Sequence, residues 1–173
     1  MTNALHGIAA AIVAVCALFG LSQAQSSAPS NPEQLERVVT AHVRGNFDVK
    51  LTPEVLADKA ADKTLARMSI DKQFHGDLEA TSKGEMLSAV TPVKGSAGYV
   101  AIERVTGTLK GRKGTFVLQH SATMARGAPH LHIIVVPDSG TDELTGLAGT
   151  MTINIAPGAQ HSYDFEYTFA DTP

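Results

Sequence analysis

The residues best suited to chemistry lie in Tyr99–Ser121, YVAIERVTGTLKGRKGTFVLQHS. This run holds a carboxylate (Glu103), an imidazole (His120) and a phenol (Tyr99) among residues that alternate as in a strand. It reads as two strands joined by a short turn at Lys110-Gly111-Arg112-Lys113, where a loop of two residues at Gly111-Arg112, or of four, fixes a single register. That register sets Glu103 opposite His120 and Arg104 opposite Gln119. Side chains alternate faces along a strand, so Glu103 and Arg104 point opposite ways, as do Gln119 and His120. Phe116, Leu118 and His120 share the face with the larger apolar groups, which argues that this face is interior. Its counterpart on the first strand is Tyr99, Ala101, Glu103 and Val105. An interior Tyr99–Glu103–His120 group, walled by Phe116 and Leu118, would supply an acid, a base and a hydroxyl donor to a bound ligand. Burial raises a glutamate pKa and a nearby imidazolium lowers it. The plainer alternative is a satisfied polar network filling a narrow interior, or a surface pair worth roughly 0.2–1 kcal/mol. If the opposite face were interior, Arg104 and Gln119 would line it, and an inward guanidinium would favour an anion such as a carboxylate.

His130 and His132 are two apart, so on a strand they share a face, a spacing compatible with metal. His120 could be a third ligand if it faced the same way. No acid follows at the spacing of a cupin motif, since positions 136 and 137 are Val136 and Pro137. The pair therefore reads first as two solvated histidines at a strand edge, and no metal or other cofactor is expected. The glycine-rich pieces Gly107–Gly114 and Gly140–Gly149 lack the Gly-Lys-Ser/Thr ending of a phosphate loop. Ser121 and Ser139 have no nucleophile-elbow context.

These groups need strands to hold them. Strand-like segments, with turn signals between them, are Ala41–Lys50, Arg67–His75, Leu78–Ala89, Ala97–Leu109, Gly114–Ala125, Leu131–Val136, Gly149–Ile155 and Ser162–Phe169. Gly76-Asp77 suits a two-residue type II′ turn. Thr52-Pro53-Glu54 reads as the start of a short covering helix through Lys63. About eight strands in hairpin order favour an all-β, eight-stranded antiparallel closed barrel, which leaves no exposed edge. A two-sheet sandwich is the alternative.

The first 24 residues carry no Lys, Arg, Asp or Glu, and Ile8–Leu21 is apolar. Ser22-Gln23-Ala24 supplies the small residues of a cleavage site, so residues 1–24 read as a secretory signal cut after Ala24. An uncleaved N-terminal anchor is the alternative, given the missing basic residues. Residues 25–40 read as a polar linker and 41–170 as the barrel domain. Cys16 is the only cysteine and would leave with the leader, so the mature chain has no disulfide and no thiol nucleophile. The expected location is secreted or periplasmic, with no membrane association after cleavage. All 14 basic and 17 acidic residues follow the leader, giving a net charge of −3. No basic stripe interleaves with aromatics, which argues against nucleic-acid binding.

Four segments carry a family resemblance: RMSIDKQFHGDLEATSKGEML (Arg67–Leu87), ERVTGTLKGRKGTFVLQHS (Glu103–Ser121), VVPDSGTDELTGLAG (Val135–Gly149) and SYDFEY (Ser162–Tyr167). Over about Ala41–Phe169 the chain resembles a bacterial domain family of unknown function, similar in fold to allene oxide cyclase and more distantly to dirigent proteins. The resemblance implies an eight-stranded antiparallel barrel, often a homo-oligomer, and no established reaction. Three functions compete. One is a barrel that binds a small apolar or amphipathic ligand in its lumen. Another is an isomerase or cyclase acting on a lipid-like substrate, with Glu103 polarising it. The third is a structural oligomeric barrel with a filled core.

Overall fold

Alternating apolar and polar residues become eight antiparallel strands in a computed structural model, which describes residues 39–56, 64–158 and 160–170. The strands are β1 Ala41–Glu54, β2 Leu65–Gly76, β3 Leu78–Val90, β4 Ala97–Leu109, β5 Arg112–Ala125, β6 Ala128–Val135, β7 Leu147–Ile155 and β8 His161–Phe169. Each pairs with the next, and β1 pairs with β8, so the sheet closes into a barrel rather than splitting into a sandwich. Closure removes the unpaired edges that an open sheet would expose.

The covering helix expected from Thr52 does not begin there. Thr52, Pro53 and Glu54 continue β1 and lie opposite Ser69, Met68 and Arg67. Beyond Phe47, β1 is paired only with β2 among the described residues, so Pro53 needs no donor on its other side. Val55 and Leu56 are not helical either, and residues 57–63 of that expected helix, the leader and nearly all of the linker lie outside the described residues.

Two turns differ from expectation, and both shift a register. The β4–β5 turn is Lys110-Gly111, with φ of 49° and 85°. That is the backbone of a type I′ turn, whose twist matches that of the flanking strands. Asp77 holds Lys110 in place: its carbonyl accepts from the Lys110 N–H at 2.9 Å, and its carboxylate from Lys110 Nζ at 2.7 Å. Leu109 therefore faces Arg112, and the pairing moves by two residues from the expected one. At the β2–β3 turn Phe74 lies opposite Ala80, so the two-residue type II′ loop is not formed. The Tyr163 hydroxyl spans this turn, accepting from the Leu78 N–H at 3.0 Å and donating to the His75 carbonyl at 3.2 Å.

One half of the barrel is packed solid. Phe74, Leu78, Leu109, Phe116, Leu147 and Phe165 are fully buried there, and the Phe116 and Phe165 rings stack at 5.9 Å. A 3-10 turn, Asp142–Leu144, adds Leu144 to this core beside Gly114. The loop carrying it is tied to β5 by the Thr115 N–H donating to Thr141 Oγ1 at 3.0 Å. The other half of the barrel is open. The β6–β7 seam is the most weakly joined, with Ile134 opposite Thr150 as its only pairing among the described residues.

Candidate functional site

The open half encloses a cavity of ≈ 660 Å³. Its walls are mostly apolar, with Phe47, Val49, Ile70, Met86, Leu131 and Ile153 among them. Small-molecule sites have this character, with roughly 300–1,000 Å³ of mainly apolar space and a few placed polar groups. Here the titratable lining groups are Lys72, Tyr99, His120 and His161.

Under this cup lies a buried polar cluster centred on Glu103. Glu103 is 0% exposed, His120 3% and Lys72 6%. Lys72 Nζ donates to Glu103 Oε1 at 2.7 Å, and Ser82 Oγ donates to Oε2 at 2.7 Å. His120 Nε2 meets Oε1 at 2.8 Å. Lys72 Nζ also stands 5.2 Å from the centre of the Phe47 ring and 5.7 Å from that of Phe74, where each ring face favours a cation. Burial pushes the Glu103 pKa up, but the His120 hydrogen bond and the Lys72 ammonium outweigh it and lower the value from 4.5 to about 2. Glu103 is thus a carboxylate, and a carboxylate only accepts hydrogen bonds. The proton on the shared contact is therefore assigned to His120 Nε2, which leaves Nδ1 as the ring nitrogen not engaged by Glu103.

The geometry follows from local sequence. Lys72 sits between Ile70 and Phe74 on the inward parity of β2, so its neighbours at i±2 carry it inside. Ser82 and Gly84 are small inward positions on β3, and Gly84 lies opposite Glu103. A Cβ at Gly84 would stand 2.5 Å from Glu103 Cβ, so glycine leaves the room that Glu103 occupies.

The structure brings Glu103 and His120 together, although the expected pairing is corrected. Glu103 lies opposite Leu118, and Ala101 opposite His120. A two-residue slip keeps every face, so His120 reaches Glu103 on the diagonal. Tyr99 faces inward beside them, its ring 6.4 Å from that of His120, and burial raises its pKa. Phe116 and Leu118 are inward but sit in the core below the cup rather than on its wall. Arg104 and Gln119 are exposed on the outer face, opposite Val117 and Ile102, so the interior they would have lined does not exist. His130 and His132 are exposed and alternate with Leu131 and Ile133, which face inward, so they point away from His120. Among the described residues no group of three or more His, Cys, Asp or Glu is placed to hold a metal ion.

Lys72 and Ser82 are the cluster members that sequence reasoning missed. The available signal was a lysine on the same parity as Ile70 and Phe74, which strand alternation places indoors.

Comparison with known proteins gives a family and no activity. No curated protein matches the chain. A solved structure, a protein of unknown function from the DUF3224 family of Shewanella oneidensis MR-1, is 55% identical, with a TM-score of 0.73. The match covers 78% of this chain and 100% of that one. The profile of a family described as protein of unknown function, DUF3224, matches residues 43–167, from the third residue of β1 to within two residues of the end of β8. A closed eight-stranded barrel with an open cup over a buried Lys72–Glu103–His120 cluster is thus the form taken by this chain, which belongs to the DUF3224 family.

Proposed function

We propose that the protein is an exported binder of a small amphipathic molecule, held in the open half of the barrel. The observation that carries this reading is the mainly apolar cup of ≈ 660 Å³ over a polar floor, in a barrel whose other half is filled. A barrel kept only for structure would gain stability by filling that space, because dense packing is the normal state of protein interiors. The charge-free apolar leader supports export.

Glu103 does not touch the ligand in this reading. It is fully buried and absent from the cavity wall, so it positions Lys72 and His120, which do line the cup. A second reading, an isomerase acting on an amphipathic substrate, rests on a single feature. A carboxylate–imidazole pair with its free ring nitrogen beside an apolar cavity is the arrangement of a general base.

Native mass spectrometry of the protein purified from its own host tests the binding reading. The expected result is one small molecule per barrel, removable by organic extraction. If no adduct is found, and the extracted protein takes up neither decanol nor decanoate, the binding reading is wrong.

A further inference from the structure

The floor of the cup has a defined charge and a defined hydrogen-bonding polarity, and together they select the head of the ligand. Lys72 and Glu103 form a buried pair whose charges cancel. His120 donates Nε2–H to Glu103, and its Nδ1 has no partner among the described residues. Nδ1 is also not sealed from solvent, since no buried side-chain polar atom among the described residues lacks a partner. His120 lines the cavity, so this nitrogen is the group the floor offers to a ligand. In the neutral ring it is an acceptor, and a bare anion placed against it would meet a lone pair. Lys72 Nζ, bonded to the same Glu103 oxygen, supplies an N–H donor beside it.

We infer that the cup takes up a carboxylate-headed amphiphile together with one proton, the head resting on Lys72 and His120 and the proton shared between the head and His120 Nδ1. This inference rests on the binding reading above and names its ligand class. One proton resolves both difficulties at once. It turns the facing lone pair into a donor, and it leaves the buried floor with its carboxylate neutralised, which matters where solvation is weak. Whether the proton resides on the acid or on the ring, the net uptake is the same. The head is recognised by its weak acidity, and an alcohol needs no such proton because its own O–H donates to Nδ1.

The groups facing His120 are few. From β4 they are Glu103 and Tyr99, and from β2 Lys72. The inward β6 neighbours, Ile133 and Leu131, are apolar. From β8 the rim carries His161, its ring 5.0 Å from that of Phe47, and this is the other imidazole of the cup.

Calorimetric titration of the full mature protein with decanoate and with decanol, between pH 6.5 and 8.5 in two buffers of different ionisation heat, tests the inference. Decanoate binding should absorb one proton per barrel at pH 8, and its affinity should fall about tenfold per pH unit wherever a full proton is taken up. Decanol affinity should be flat with pH. His120→Gln should remove the proton uptake and the slope while decanol still binds, and His161→Gln should leave both intact. If decanoate and decanol both bind without proton uptake, the head assignment is wrong and the binding reading stands. If neither binds, both are wrong. The wild-type measurement alone decides these cases even if His120→Gln fails to fold.

Discussion

Glu103→Gln is the most revealing single change, because the same carboxylate accepts hydrogen bonds from three buried partners. Glu103 accepts from Lys72, Ser82 and His120 with no solvent exposure. Glutamine keeps the shape and one carbonyl acceptor, but it leaves the 6% exposed Lys72 without a counter-charge. Removing one member of a buried ion pair costs about 3–5 kcal/mol. Proton linkage gives a second route to the magnitude. The Glu103 pKa is lowered from 4.5 to about 2. At about 1.4 kcal/mol per unit that difference contributes roughly 3 kcal/mol to stability near neutral pH. The two routes agree on about 3–4 kcal/mol, a large share of the roughly 5–15 kcal/mol of a typical domain. The corresponding fall in melting temperature is about 10–15 °C. Because the folded-state pKa is depressed, the contribution is complete above pH 4.5 and is lost as pH falls toward 2. Urea denaturation followed by circular dichroism, from pH 7 down to pH 3, should show a gap of about 3 kcal/mol between wild type and variant at pH 7 that narrows steadily below pH 4.5. Adding Lys72→Met to Glu103→Gln removes the orphaned charge and should recover at least about 1 kcal/mol. A gap below about 1 kcal/mol at pH 7, or one that is the same at pH 7 and pH 3, would refute the assignment of Glu103 as the ionised centre of the cluster.

Other changes separate packing from binding. Gly84→Ala drives a methyl into the Ile102 carbonyl oxygen and puts it 2.5 Å from Glu103 Cβ. It should cost about 1–3 kcal/mol in a thermal melt, and a neutral result would contradict the tight fit at Glu103. Leu144→Ala opens a hole in the filled half and should cost about 2–5 kcal/mol, with decanol affinity of the folded protein unchanged. The Tyr99 hydroxyl has no partner among the described residues, so Tyr99→Phe should keep stability within about 0.5 kcal/mol on urea denaturation.

Much of this arrangement is legible in the sequence because strand parity is robust. Phe116, Leu118 and His120 share a face with Tyr99, Ala101 and Glu103 whatever even shift the hairpin takes, so the inward placement of Glu103 and His120 follows from alternation. The register itself is not legible, because Lys110 adopts positive φ under the hold of Asp77, a residue of the neighbouring hairpin turn. The β2–β3 turn is set in the same remote way by Tyr163, far along the chain. Lys72 illustrates a different limit. Its parity marks it as inward, but only the folded barrel shows that an acid two strands away, on β4, compensates its charge. The histidine pair at 130 and 132 shows the converse, since spacing suggested a shared face and only pairing with β5 reveals that the face is the outer one.

The seam between β1 and β8 shapes how such a molecule must assemble. Seven seams join strands that follow one another along the chain, whereas this one brings Ala41 beside Tyr167. Hairpins of short reach form in about 1–10 μs, but a contact spanning the whole domain carries the largest loop-closure entropy and comes late. Loop-closure entropy thus predicts ring closure as the slow step of folding, with β1 and β8 as unprotected edges until it occurs. A circular permutant cut between Lys110 and Gly111, with its natural ends joined across the Ala41–Tyr167 seam, would keep the same cylinder but move the long-range step to the β4–β5 seam. Such a chain should enclose the same cup, with β4 and β5 in place of β1 and β8 as the edges left open until the ring closes.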